Sequence, residues 1–396
     1  MEWNQLLSDR RFGKEYVAKS AAERRTEFQR DYDRLIFSAA FRRMQNKTQV
    51  FPLPGSVFVH NRLTHSLEVS SVGRSLGADV AALLQQRDSA AGERTPEALG
   101  AIVSAACLAH DMGNPPFGHS GERAIRSFFA EGQGREWEKM LPKSVWKDIV
   151  NFDGNANTFR LLTHQFNGHR AGGFVMTYAT LAAIVKYPFA SDCCHGKSKF
   201  GFFQSEAADF QRIAHELGLP NCAASDESLR FARHPLVYLV EAADDICYQI
   251  MDLEDAHKLR LLSDEQAEVL LLDFFAPEAR ERLRSAYPMV TDANDRMVYY
   301  RSSIINALER ACVNIFVDNE AAILAGTFEG SLIDHLPEPL LGAYQRCAAL
   351  AKEKIYRSKE VMDVDLAGYH IIYTLLELMT EAVLAPQKAY SQMLLG

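Results

Sequence analysis

The residues with the most chemical promise lie in LAHDMGNPPFGHSGE, where His110 and Asp111 sit side by side at the end of an apolar run. After Ala105-Ala106-Cys107-Leu108-Ala109, an ionisable pair is costly unless it is paired or binds a cation. A neutral imidazole beside a carboxylate suits a borderline or hard divalent metal. His65 in HNRLTHS and Asp244 in EAADDICY extend the set. Two His and two Asp from three helices could close around one octahedral metal and leave positions for water. Mutual hydrogen bonding in a buried core is the competing reading of these four residues, and helix periodicity by itself leans toward it. His119 and Glu122, three residues apart near a helix start, can face one way. The carboxylate would then orient, and raise the pKa of, an imidazole that gives or takes a proton; a first-turn acid serving only the helix dipole is the alternative. Asp244, Tyr248 and Asp252 step by four along one face, a floor on which a sugar could lie.

Helices must position these groups. Val69, Val72, Leu76, Val80 and Leu83 recur at three- and four-residue steps, the period of one helix face. Thr95-Pro96 reads as a helix start, and that helix runs through EALGAIVSAACLAHD until Gly113 and Pro115-Pro116 forbid continuation. His234-Pro235 opens another, apolar nearly all round and so central. LAGYHIIYTLLELMTEAVLA forms a last long helix. Ser56 to His60 is a short strand-like piece. Residues from about 132 to 226, rich in Gly, Asn and Phe, read as loops and short helices inserted between the chemistry-bearing helices. The expectation is one all-α domain over 1–396, with a core at about 31–260 and a helical C-terminal part at about 261–396.

Composition narrows the function. The chain has 396 residues, 47% of them hydrophobic and 24% charged, which is globular rather than disordered or fibrous. Its formal charge of −8 counts against nucleic acid as a general partner. Residues 1–47 nevertheless hold eleven Lys or Arg against seven Asp or Glu, a locally basic stretch that includes Arg42-Arg43. Seven scattered cysteines without a CxxC pair fit a reducing compartment. With no apolar leader, and with the stretch from Ala171 to Val185 too short to span a bilayer, a cytoplasmic protein without a membrane partner is expected.

FRRMQNKTQVFPL, HNRLTHSLEV, AHDMGNPPFGHSGE and EAADDICYQIMDLEDA together resemble the deoxynucleoside triphosphate triphosphohydrolases of the HD superfamily, specifically the bacterial dGTPase-like branch. The likeness runs from near Asp31 to Asp255 and returns more weakly in KIYRSKEV and LAGYHII. It implies an HD-domain helical fold and a divalent metal (Mn, Mg, Fe, Co or Ni) held by His65, His110, Asp111 and Asp244. It implies His119 as catalytic histidine with Glu122 as its carboxylate partner. Gln49 and Asp252 match residues that hold the 3′-hydroxyl, and Tyr248 the ring under the sugar that crowds a 2′-hydroxyl. Arg62 and Lys186 match phosphate contacts. The implied reaction is attack at the α-phosphate, giving a deoxynucleoside and inorganic triphosphate, with His119 as acid toward the leaving oxygen and base or nucleophile as variants. A homo-oligomer, tetrameric or hexameric, is implied as well, and a second dNTP or single-stranded DNA stays open as a regulator.

Two further readings compete. One is an HD phosphohydrolase acting on another nucleotide, against which the Gln49, Tyr248 and Asp252 platform speaks. The other is a catalytically silent nucleotide-sensing or single-strand DNA-binding protein, against which the intact ligand set with His119 and Glu122 speaks. The segment from Lys186 to Gly218 carries no assignable role, which leaves base preference undecided.

Overall fold

The computed structural model describes residues 1–15, 24–51, 59–87, 96–194, 198–223, 229–286 and 289–395. The proposed cap at Thr95 and most of the Ser56–His60 piece fall outside them. Among the described residues the fold is all-α, with β pairing confined to isolated bridges such as Arg11↔Thr177 and Thr48↔Asn61. The helices that build the site are α1 (Glu27–Ile36), α2 (Arg62–Arg87), α3 (Pro96–Ala109), α4 (Gly118–Ala130), α5 (Gly154–Thr163), α6 (Tyr178–Ile184), α7 (Val237–Lys258), α8 (Ala293–Asp318) and α9 (Lys359–Leu384).

Local chemistry sets their ends. Asn61 and Thr64 cap α2 reciprocally: Asn61 Oδ1 accepts from Thr64 N at 2.9 Å, and Thr64 Oγ1 accepts from Asn61 N at 3.1 Å. That satisfies donors the first turn leaves without helical partners. Helix α3 stops at Ala109, where the glycine and proline pair ahead cannot continue it. Chain direction is then reset through positive φ at Phe117 and Gly118 before α4 begins.

Val69, Val72, Leu76 and Val80 of α2 are buried, as their spacing requires, while Leu83 is only partly so. Helix α3 presents Leu99, Ile102, Val103 and Ala105 through Ala109, all fully buried. The two helices touch closely because Gly77 faces the α3 backbone; a Cβ there would come within 2.8 Å of Leu99 O. Helix α7 packs on both, and α8 packs on α2 and α7. The segment read as an insertion contributes to this core. Every residue of α6, an apolar turn sequence capped by Thr177, is buried, and α6 packs on α3. No helix of the described chain is long and apolar enough to cross a membrane.

Candidate active site and metal centre

Three helix ends and faces converge. His65 sits in the first turn of α2, His110 and Asp111 follow the last residue of α3, and Asp244 lies mid-way along α7. Donor atoms of His65, His110 and Asp111 lie within 4.8 Å of one another. Asp244 Oδ1 is 3.0 Å from His65 Nε2 and 3.5 Å from His110 Nε2. His110 Nδ1–H donates to Cys107 O at 2.6 Å, which fixes the tautomer and leaves Nε2 facing the carboxylates. That Nε2 is buried without a hydrogen-bond partner. An orphaned imidazole nitrogen among a second histidine and two carboxylates fits a divalent cation better than a self-satisfied core. Asp244 is less enclosed than its apolar helix implied: its side chain is 33% exposed, so solvent reaches the cluster on that side.

The fields around the cluster are strong. Burial presses His110 down, yet Asp111 and Asp244 raise its pKa to about 9. Against the cost of burial, His110 and His65 hold Asp244 well below the ordinary carboxylate range. Asp111 is lowered too, burial again opposing, chiefly through Arg62. Arg62 Nη1 lies 2.5 Å from Asp111 Oδ2, and Asn114 donates to the other carboxylate oxygen. The guanidinium occupies the room left by Gly118, where a Cβ would come within 2.6 Å of Arg62 Nη2. Arg62 Nε remains buried and unpartnered.

Beside the cluster, Tyr248 stands 6.5 Å from the His65 ring, centroid to centroid, and 6.1 Å from Tyr356. The Tyr356 hydroxyl donates to Asp252 Oδ2 at 2.8 Å. Burial raises the Asp252 pKa to about 8, with Tyr356 pulling the other way. Gln49 Oε1 is a buried acceptor with no partner. Sequence reasoning missed Tyr356; it lies in the KIYRSKEV stretch, where the weak likeness was the available signal.

His119, on the first turn of α4, is exposed, whereas Glu122 is buried. Among the described residues no hydrogen bond joins them. Glu122 Oε1 instead accepts from Gly154 N at 2.8 Å, at the start of α5, and Oε2 lies 3.4 Å from Arg126 and 3.9 Å from Lys199. Glu122 still raises the His119 pKa, but the surrounding protein, with Lys199 and Arg62, outweighs it, and the net shift is downward. The expected upward shift is therefore reversed. Lys186 Nζ is 3.0 Å from Glu241 Oε1, so its charge is shared with an internal partner. Lys199, which no sequence pattern marked, brings a second lysine to the Glu122 side; its Nζ is also 3.7 Å from Asp153.

Residues 62–149 match the HD domain, the segment that holds His65, His110, Asp111, His119 and Glu122. The chain is 42% identical over 392 residues to a deoxyguanosinetriphosphate triphosphohydrolase-like protein of Pseudomonas aeruginosa, covering 97% of this chain and 86% of that one. It is 37% identical to a like-named protein of Synechocystis, covering 98% and 88%. It is 31% identical to a deoxyguanosinetriphosphate triphosphohydrolase of Yersinia enterocolitica, covering 99% and 84%.

Proposed function

This chain belongs to the dGTPase-like branch of the HD superfamily, and we propose that it hydrolyses deoxynucleoside triphosphates, dGTP foremost, to the deoxynucleoside and inorganic triphosphate. The orphaned Nε2 of His110, facing Asp244 beside the Tyr248–Asp252 platform, is the observation that carries the proposal. Asp244 of the cluster and the Tyr248–Asp252 pair lie on the same helix, α7, which supports reading them as neighbouring cation and sugar contacts.

Residues His65, His110, Asp111 and Asp244 would hold Mn, Mg, Fe, Co or Ni, which would supply Lewis-acid chemistry at the α-phosphate. The protein does the rest. Arg62, already aimed at the cluster, pairs with phosphate oxygens there. Lys186 and Lys199 add positive charge where a −8 protein would otherwise repel a triphosphate of about four negative charges. The Tyr248 ring supports the deoxyribose and leaves no space for a 2′-hydroxyl. Gln49 Oε1 accepts from the 3′-hydroxyl, and the protonated Asp252 carboxyl gives a second polar contact. In the free protein the depressed pKa keeps His119 neutral near pH 7. The arriving triphosphate raises it again by charge, so the imidazolium can protonate the departing 5′-oxygen.

A second copy of this chain is a further partner. Ile371, Leu375, Met379 and Val383 step by four along α9 and are 41–56% exposed. Such a row is self-complementary about a two-fold axis.

Turnover of each dNTP with Mn or Mg, with product analysis, tests the proposal. Release of triphosphate supports it. Orthophosphate or pyrophosphate favours a different HD phosphohydrolase, and silence with all four dNTPs favours a nucleotide sensor.

A further inference from the structure

The turn that carries the metal pair is seated on α5, a helix with no metal-binding residue of its own. Gly113 N donates to Thr158 Oγ1 at 3.0 Å, and the same hydroxyl lies 3.2 Å from His110 O and 3.0 Å from Gly154 O. Asn157 Nδ2 donates to Gly113 O at 2.7 Å. Thr158 is fully buried. The turn presses on this helix so closely that a Cβ on Gly113 would come within 2.1 Å of Thr158 N. One hydroxyl can accept from Gly113 and donate to one of the two carbonyls, so it closes the circuit between the end of α3 and α5.

We infer that Thr158, assisted by Asn157, is a positioning residue for the metal pair. Its hydroxyl sets where the backbone leaves α3, and hence where His110 Nε2 and Asp111 point. The inference rests on the proposed metal site. Without the hydroxyl, Gly113 N–H loses its buried acceptor, and the turn must shift to recover one. Loss of a supporting hydrogen bond behind a metal ligand lowers metal affinity about 10- to 100-fold.

The test is Mn²⁺ titration by calorimetry on the metal-free full chain, for wild type, Thr158→Val, Thr158→Ser and Asn157→Ala. Thr158→Val should bind Mn²⁺ at least about tenfold more weakly, with kcat reduced and KM for dNTP little changed. Thr158→Ser keeps the hydroxyl and should bind like wild type. Wild-type affinity in Thr158→Val overturns the inference. So does an equal loss in Thr158→Ser, which would assign the effect to packing. If Thr158→Val does not fold, Asn157→Ala decides: weakened binding supports the clamp and unchanged binding refutes it. A wild-type chain that binds no Mn²⁺ refutes the metal site itself, a different failure from a site that binds but ignores Thr158.

Discussion

Replacing Tyr356 by phenylalanine removes one hydroxyl and nothing else, which makes it a sharp probe of the sugar floor. That hydroxyl donates to Asp252 Oδ2 at 2.8 Å, and Asp252 is 3% exposed. The size of the loss depends on whether the carboxyl is charged. Burial raises its pKa to about 8, so at pH 7 it is mostly protonated and the lost bond is neutral, about 1 kcal/mol or a fivefold change. Above pH 8 the carboxylate ionises, and the same deletion removes a bond to a charge, about 1.5–3 kcal/mol. Tyr356→Phe should therefore raise KM for dGTP modestly at pH 7 and by a growing factor as pH climbs through 8. On the proposed role of Asp252 at the 3′-hydroxyl, the variant should also discriminate less between dGTP and its 3′-deoxy analogue. Steady-state kinetics with both nucleotides at pH 7 and 9 gives all four numbers. An unchanged preference between them, or a penalty that does not grow with pH, refutes the assignment of Tyr356 and Asp252 to the sugar.

His119→Gln should lower kcat by about 10²–10⁴ with KM within a few-fold of wild type, as steady-state assays with dGTP would show. His60 is buried between Asp255 (2.9 Å) and Glu68 (3.2 Å); burial opposes the charge, yet these carboxylates raise its pKa to about 10. Its stabilisation is complete below the ordinary histidine pKa and fades as pH rises through about 10; the urea midpoint of His60→Gln should lie below wild type at pH 6 and approach it above pH 10. Leu375→Glu, on the exposed row of α9, should reduce the mass measured by light scattering while leaving the helical circular dichroism intact.

The positions of His110-Asp111 and Asp244 were legible because two strong local signals coincided with them. An apolar helix ending in His110-Asp111 and broken by Gly113 and Pro115 must leave an ionisable pair at its tip. An apolar helix with Asp244, Tyr248 and Asp252 at four-residue steps must present them on one face. Longer-range pairings left no such trace. Tyr356 reaches Asp252 from 104 residues away, and no periodicity connects the two. Three-residue spacing permits a Glu122–His119 pair, and the family resemblance implies one. The folded chain gives that carboxylate to the N-terminus of α5 instead, where a free backbone N–H and the helix dipole favour it. The apparent insertion hid α5 and α6 because both are too short for their periodicity to stand out, although one cradles the turn after His110-Asp111 and the other fills the core. Lys199 is one of several lysines in its stretch, and only proximity to Glu122 and Asp153 distinguishes it.

The central claim is hydrolysis at the α-phosphate, and it is tested most directly by turning over dGTP with Mn²⁺ in ¹⁸O-labelled water and resolving the products by ³¹P NMR and mass spectrometry. Equal amounts of deoxyguanosine and inorganic triphosphate are predicted, with the label on the triphosphate because water attacks phosphorus and the 5′-oxygen leaves with the nucleoside. Label in the nucleoside, release of pyrophosphate or orthophosphate, or no turnover at all would contradict it.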